Sequence, residues 1–323
     1  PASAGNNTYT ACGAATPGNP APGEGLYNAT TLDTNNDGTP EETDEVCGDL
    51  PYVTHIKTGP AISALQNDGS YNVTYVVTVN NLGGATGTYD LVDIPTFDSD
   101  IVINAASYSN SNVVPIVAGG ALSLINGAPN TLANDISIAA FATQTYTLTY
   151  NVTLDLDPTS TDPGNNLYSS CGSTAVSPGA SIAGAAEAGQ GLYNMTRLDT
   201  NNDGTPEEEE EVCGDLPFIT HDKQGPVIGV QLANGSYPVT YTVVVRNLGG
   251  ATGTYDLNDR PTFEDDITIN SGSFASTTPP NLSGALSTTN GVDNVLGDDV
   301  SILAGATQTY TLTYNVTLNL AAA

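Results

Sequence analysis

From Tyr71 the chain alternates strictly between two kinds of position. Tyr71, Val73, Tyr75, Val77 and Val79 fall on one side of an extended backbone, and Asn72, Thr74, Val76, Thr78 and Asn80 fall on the other. The rhythm returns further on, where Tyr146, Leu148, Tyr150, Val152 and Leu154 oppose Thr145, Thr147, Thr149, Asn151 and Thr153. A period of two puts one face on a core and the other in water, so both stretches are predicted as half-buried strands. Thr, Val, Tyr and Ile suit pleated sheets. Gly, Pro and Asn interrupt at short intervals, and no segment carries a helical period. The pattern predicts an all-β chain.

The chain also repeats itself. LDTNNDGTPEE begins at Leu32 and Leu198, CGDLP at Cys47 and Cys213, and LGGATGTYDL at Leu82 and Leu248, each pair 166 residues apart. TQTYTLTYNVTL begins at Thr143 and Thr307, 164 apart, and NNTYTACG at Asn6 matches NNLYSSCG at Asn165, 159 apart. A period of about 160 residues is too long for a solenoid unit and reads as tandem domains. The predicted fold is two tandem immunoglobulin-like β-sandwiches.

Composition narrows the partners. The 323 residues carry 5 Lys and Arg against 35 Asp and Glu, a formal net charge of −30. Such a chain repels nucleic acid and anionic lipid surfaces. No run approaches the length of an apolar membrane span, so no membrane insertion is expected. No basic and apolar leader opens the chain, which reads as an export signal already removed.

Four cysteines fall two to a copy, and the repeat favours Cys12 with Cys47 and Cys171 with Cys213 among the three possible pairings. An even count in an exported β-protein predicts disulfides in an oxidising compartment. Between each pair lies an acidic loop. Read with EF-hand spacing, the first offers Asp33, Asn35, Asp37, Thr39 through its carbonyl, Glu41 and Asp44. The second offers Asp199, Asn201, Asp203, Thr205, Glu207 and Glu210. Gly38 and Gly204 stand where such a loop turns sharply. Hard oxygen ligands suit Ca²⁺, the expected cofactor. No helix flanks either loop, and in this they resemble the isolated calcium loops of dockerins or thrombospondin type-three repeats. The competing reading is a solvated acidic turn that binds nothing. Fifteen of the 35 carboxylates fall within Asp33–Asp49 and Asp199–Asp215, so the acidity is concentrated at these places.

GSYPVTYTVVVRNLGGATGTYDLNDRPTF, followed by AGATQTYTLTYNVTL, resembles the "domain of unknown function eleven" repeat of bacterial surface proteins. The connecting GLYN and CGDLP motifs resemble it too. More loosely, the chain resembles subunits of glycosylated extracellular fibrils from environmental samples. The resemblance implies extracellular or cell-surface sandwiches used in stalks and adhesins. It also implies that a module begins near CGDLP and ends with a strand around GLYN. In that frame residues 1–46 are an N-terminal donor strand with the first acidic loop. Residues 47–198 are a first sandwich with its last strand. Residues 199–323 are the second loop and a sandwich lacking its last strand. The expected function is a structural subunit of an extracellular head-to-tail filament, whose partners are copies of itself joined by strand donation. A stalk stretch of a longer calcium-binding adhesin and a carbohydrate-binding module are the alternatives.

Eight sequons, at Asn6, Asn28, Asn72, Asn151, Asn194, Asn234, Asn281 and Asn315, are candidate glycan acceptors. Catalysis finds little footing. His55 and His221 occupy equivalent THIK and THDK positions and are expected at a strand surface or junction. No nucleophile elbow, HExxH or phosphate loop occurs, and the chain reads as a non-enzyme. Trp, the usual sugar platform, is absent.

Overall fold

A computed structural model describes residues 9–111, 119–156, 164–172, 186–277 and 280–320. The described residues form strands and no helix. In chain order they are β1 (Asn28–Leu32), β2 (Glu42–Val46), β3 (Val53–Ile62), β4 (Tyr71–Asn81), β5 (Gly87–Pro95) and β6 (Ile101–Ser111). There follow β7 (Asn130–Ile138), β8 (Thr143–Leu154), β9 (Asn194–Asp199), β10 (Glu208–Val212), β11 (Ile219–Ile228) and β12 (Tyr237–Asn247). The last are β13 (Gly253–Asp259), β14 (Ile267–Ser276), β15 (Ser283–Ala285), β16 (Asn294–Ile302) and β17 (Thr307–Leu318). The chain divides into two compact units, one of Pro1–Asp155 with Ala186–Gly214, the other of Leu156–Ala185 with Asp215–Ala323.

In the first unit one sheet runs β3-β4-β8-β6 and a second runs β10-β9-β5-β7. The alternating residues of β4 and β8 bury their apolar faces as the period of two requires: Val73, Tyr75, Val77, Tyr146, Leu148 and Tyr150 are inaccessible. Tyr89 and Leu91 of β5, Ile136 and Ile138 of β7 and Leu198 of β9 supply buried residues from the second sheet. The result is sandwich-like, with tyrosines as large core residues. Their hydroxyls find partners inside: Tyr89 bonds Gln144 and lies 2.7 Å from the Tyr146 hydroxyl. Hairpin β1–β2 belongs to neither sheet, and all ten of its residues are exposed.

In the second unit one sheet runs β11-β12-β17-β14-β15. Among the described residues the other holds β13 and β16. Val243, Val245, Leu257, Leu296, Tyr310 and Leu312 form its core. Within each unit the equivalent strands keep the same register: Tyr75 faces Leu148 across β4 and β8, and Tyr241 faces Leu312 across β12 and β17.

The boundary expected between residues 198 and 199 falls inside a hairpin. β9 and β10 are bonded to each other and β9 to β5, so the second acidic loop and β10 belong to the first unit, which ends at Gly214.

Candidate functional site

The two units differ along the side of β5 opposite β7, whose equivalent on β13 carries no further strand among the described residues. In the first unit β9 lies antiparallel along β5, with Leu91 opposite Leu198, Val92 opposite Arg197 and Asp93 opposite Thr196. The segment leading into β9 is held by backbone bonds to the 96–98 loop. The Asp98 N–H donates to the Gly191 carbonyl at 2.8 Å, and the Thr96 N–H to that of Tyr193 at 3.0 Å. Leu192, between them, is 0% exposed, and its carbonyl accepts from the Tyr75 hydroxyl at 2.7 Å. Gly214 sits so close to Pro60 that a Cβ there would lie 2.3 Å from the ring Cγ.

β10 adds a polar latch onto β3. Glu208 accepts from the Thr54 hydroxyl at 2.8 Å and from the His55 N–H at 2.9 Å, and its Oε2 lies 3.2 Å from His55 Nδ1. His55 Nε2 lies 3.0 Å from the Thr196 hydroxyl on β9. One imidazole is thus gripped by both strands of the hairpin. Of the surface and junction positions expected from the sequence, His55 takes a junction, wholly buried where β3 meets the hairpin, whereas His221 is exposed. Burial pushes the Glu208 carboxyl up, but the bonds from Thr54 and His55 outweigh it and hold it below its ordinary value.

Beside this latch Lys57 and Asp93 form an ion pair with both side chains fully buried. Asp93 also accepts from the Tyr150 hydroxyl at 2.6 Å. Burial pushes the Lys57 ammonium down, against the pull of Asp93. Such a pair is costly to expose or break. Its equivalent in the second unit, Lys223 with Asp259, leaves the lysine side chain 41% exposed. Sequence reasoning missed Lys57 and Asp93; the repeated His-x-Lys signals that His55 and Lys57 share one face of their strand.

The free hairpin β1–β2 already has the form of the docked one. Thr30 faces Asp44 as Thr196 faces Glu210. The Leu26 N–H donates to the Gly48 carbonyl at 2.7 Å, and the Leu192 N–H to that of Gly214 at 2.7 Å. Tyr27 donates to Glu45 at 2.5 Å, and Tyr193 to Glu211. What differs is the surroundings: Leu26 is 54% exposed, and a Cβ on Gly48 would meet nothing. Among the described residues β13 is bonded only to β16. Equivalents of β9 and β10 are therefore present in the chain as β1 and β2, which form a two-stranded sheet of their own.

Each hairpin turns through its acidic loop. Asp33 accepts from the N–H groups of Asn36 and Gly38 at 2.7 Å each, and Asp199 from those of Asn202 at 2.7 Å and Gly204 at 2.8 Å. Asn35 and Asn201 cap the Asp37 and Asp203 N–H groups, which turns their oxygens inward to the backbone. Thr39 and Thr205 donate their own N–H to Asp37 and Asp203. The Gly38 N–H bond holds the Asp33 carboxyl below its usual range, and the Thr34 N–H does the same for Glu41. Asp33, Asp37 and Glu41 bring carboxylate oxygens within 4.8 Å of one another, as do Asp199, Asp203 and Glu207. Asp44 and Glu210, expected as closing ligands, instead stand on β2 and β10 opposite Thr30 and Thr196. Strand pairing resumes at Leu32–Glu42 and Leu198–Glu208, before those positions are reached, so the loops depart from EF-hand geometry.

Cys12 and Cys47 are joined, Cys171 and Cys213 are both disulfide-bonded, and no cysteine is free. Of the sequons, Asn28, Asn72, Asn234 and Asn281 are exposed and Asn151 and Asn315 half-buried, while Asn6 lies outside the described residues. Asn194 departs from the expectation of an accessible acceptor. It is fully buried with its amide toward Asp93, a place with no room for a glycan.

No family model and no curated protein matches the chain. Among solved structures, vicilin from Corylus avellana (hazelnut) aligns at 9% identity over 80% of this chain and 84% of its own, with a TM-score of 0.11. Vicilin from Capsicum annuum aligns at 11% identity over 79% and 83%, with a TM-score of 0.12. A mutant of Bacillus subtilis oxalate decarboxylase aligns at 8% identity over 83% and 78%, with a TM-score of 0.11. Likenesses this slight carry no argument about fold or activity.

Proposed function

We propose that this protein is a structural subunit of an extracellular head-to-tail filament, built from immunoglobulin-like sandwiches. The N-terminal hairpin β1–β2 of one copy adds to the β13 edge of the next, as β9–β10 adds to β5. The observation that carries this reading is the docked hairpin itself, which supplies a template for the contact. An exposed copy of that hairpin and an open copy of its edge occur in one chain. Strand addition satisfies unpaired edge groups through main-chain bonds. A hairpin already in its bound form loses little freedom on docking, which favours association. Donor and acceptor are different surfaces, so the contact is heterologous and propagates when it does not close on itself.

In this reading Ca²⁺ occupies the two acidic turns and stiffens the hairpins. The disulfides fit an oxidising compartment. Glycans on the exposed sequons are compatible with a secreted fibre, and the role is mechanical, not enzymatic. Negative-stain imaging of the purified protein is expected to show filaments, and removal of residues 1–48 is expected to abolish them. Filaments that persist after the removal would refute hairpin donation. A native polypeptide running far above 33.0 kDa on a denaturing gel would favour a longer adhesin stalk, with the edge covered by its own following segment.

A further inference from the structure

We infer that an open apolar groove on the second unit is the socket for the Leu26 side chain of another copy. We infer further that it sets the hairpin in one register, with Thr30 opposite Asp259 and Glu42 on His221. The inference rests on the head-to-tail reading and specifies its contact.

The groove has a volume of about 380 Å³ and is lined by Pro226, Tyr237, Tyr241, Phe263 and Leu318, among others. Its equivalents in the first unit are closed. Tyr71, Tyr75 and Phe97 are buried there, and Leu154 is 7% exposed where Leu318 is 54%. The segment that runs across this place in the first unit carries Leu192. Its carbonyl is on Tyr75, its two neighbours bond the 96–98 loop, and Gly214 is pressed on Pro60. By the repeat, Leu26 takes the part of Leu192 and Gly48 that of Gly214. Tyr241, Pro226 and the N–H groups of Thr262 and Glu264 take the parts of Tyr75, Pro60, Thr96 and Asp98.

The polar contacts transfer in the same way. Thr30 and Glu42 match Thr196 and Glu208, so they reach His221 and Thr220 as their counterparts reach His55 and Thr54. β1 carries no cation where β9 carries Arg197, since Thr31 stands in its place. The second unit adds Arg246 and Arg260 where the first has Asn80 and Ile94, but it also adds Asp222 where the first has Ile56, and Arg260 is paired with Asp293 at 3.3 Å. The matching residues and register of β1–β2 and the docked β9–β10 identify β1–β2 of a second copy as the occupant.

The register is tested by placing cysteines at Thr31 and Asn258, the equivalents of the facing pair Arg197 and Val92. Both side chains point away from the core, and the full chain is used. Oxidation of assembled T31C/N258C is expected to give a ladder of covalent oligomers on a denaturing gel, and A29C/N258C little or none. Leu26→Ala, at a position exposed in the unassembled chain, is expected to slow ladder formation about 10- to 100-fold, and Leu26→Met to restore it. Filaments that form with an unslowed ladder in Leu26→Ala, or that cross-link better in A29C/N258C, overturn the socket and leave hairpin donation standing. Cross-linking within single chains means the hairpin returns to its own groove and overturns the second-copy occupant. Absence of both filaments and ladder overturns the head-to-tail reading, and this inference with it.

Discussion

Glu208 grips His55 across 153 residues of sequence, accepting from its backbone N–H at 2.9 Å and lying 3.2 Å from its ring Nδ1. The bond joins β10, the second strand of the docked hairpin, to β3, the edge strand of the opposite sheet. Removing the carboxylate strands a buried imidazole beside Thr196 and leaves the Thr54 hydroxyl without this acceptor. Charged hydrogen bonds of this kind are worth about 1.5–3 kcal/mol. Glu208→Ala is therefore expected to loosen β9–β10 by about 1–3 kcal/mol, read as faster amide exchange in Asn194–Val212. Exchange unchanged in that stretch would mean that the latch is incidental.

The same bond has a pH signature. The folded carboxyl of Glu208 is held below its ordinary value of 4.5, because bonds from Thr54 and His55 outweigh the effect of burial. A depressed acid stabilises the fold fully above its unfolded pKa, and the stabilisation disappears as pH falls through the folded one. The first unit is thus expected to lose melting temperature below about pH 4.5 more steeply in the wild type than in Glu208→Gln. Parallel melting curves for the two proteins through that range would remove Glu208 from the account.

Much of the fold was legible because the physics that builds it is periodic. Tyr71 to Val79 and Tyr146 to Leu154 announce one buried face each, and those faces are buried. The repeat announced the equivalence of Asn28–Val46 with Asn194–Val212. What failed were the residues whose chemistry and position disagree. His55 and Lys57 occupy inward positions of β3, yet neither residue type announces burial until their partners Glu208 and Asp93, from elsewhere in the chain, are seen. Asn194 carries a surface sequon, but β5 covers it. Asp44 and Glu210 satisfy a spacing rule, but spacing does not reveal that strand pairing resumes before they are reached.

The two glycines of CGDLP should separate docking inside the chain from docking between chains. A methyl on Gly214 would lie 2.3 Å from Pro60 Cγ, whereas a methyl on Gly48 has open space. Gly214→Ala is expected to destabilise the first unit by about 1–3 kcal/mol, as overpacking does. Gly48→Ala is expected to melt like the wild type and to fail in assembly, since the matching proline, Pro226, would be met only in a neighbour. Normal filaments from Gly48→Ala would show that Gly48 does not enter the joint.

The acidic turns provide the last prediction, because they are alike in geometry and unlike in support. Backbone N–H groups keep Asp33 and Glu41 ionised to lower pH than usual. The three carboxylates clustered within 4.8 Å in each loop are like charges that repel unless a cation lies between them. In the second loop Asp199 is buried and faces Asp90 of β5, and the Asn202 amide donates to Asp135 at 2.8 Å. Among the described residues the hairpin of the first loop pairs with no third strand, and Asp33 is half-buried; the residue that matches Asp90 is Asp256. Calcium is thus expected to bind the second loop tightly and the first weakly until a neighbour docks, after which the two affinities converge. Coupling of this kind is reciprocal, so added calcium should promote filaments and a chelator should shorten them. Titration calorimetry on assembly-blocked Gly48→Ala is expected to resolve two sites of unequal affinity, with Asp203→Asn/Glu207→Gln abolishing the stronger. Two equal sites in that variant would mean that docking does not organise the first loop, and no uptake at all would mean that the turns are acidic without being calcium sites.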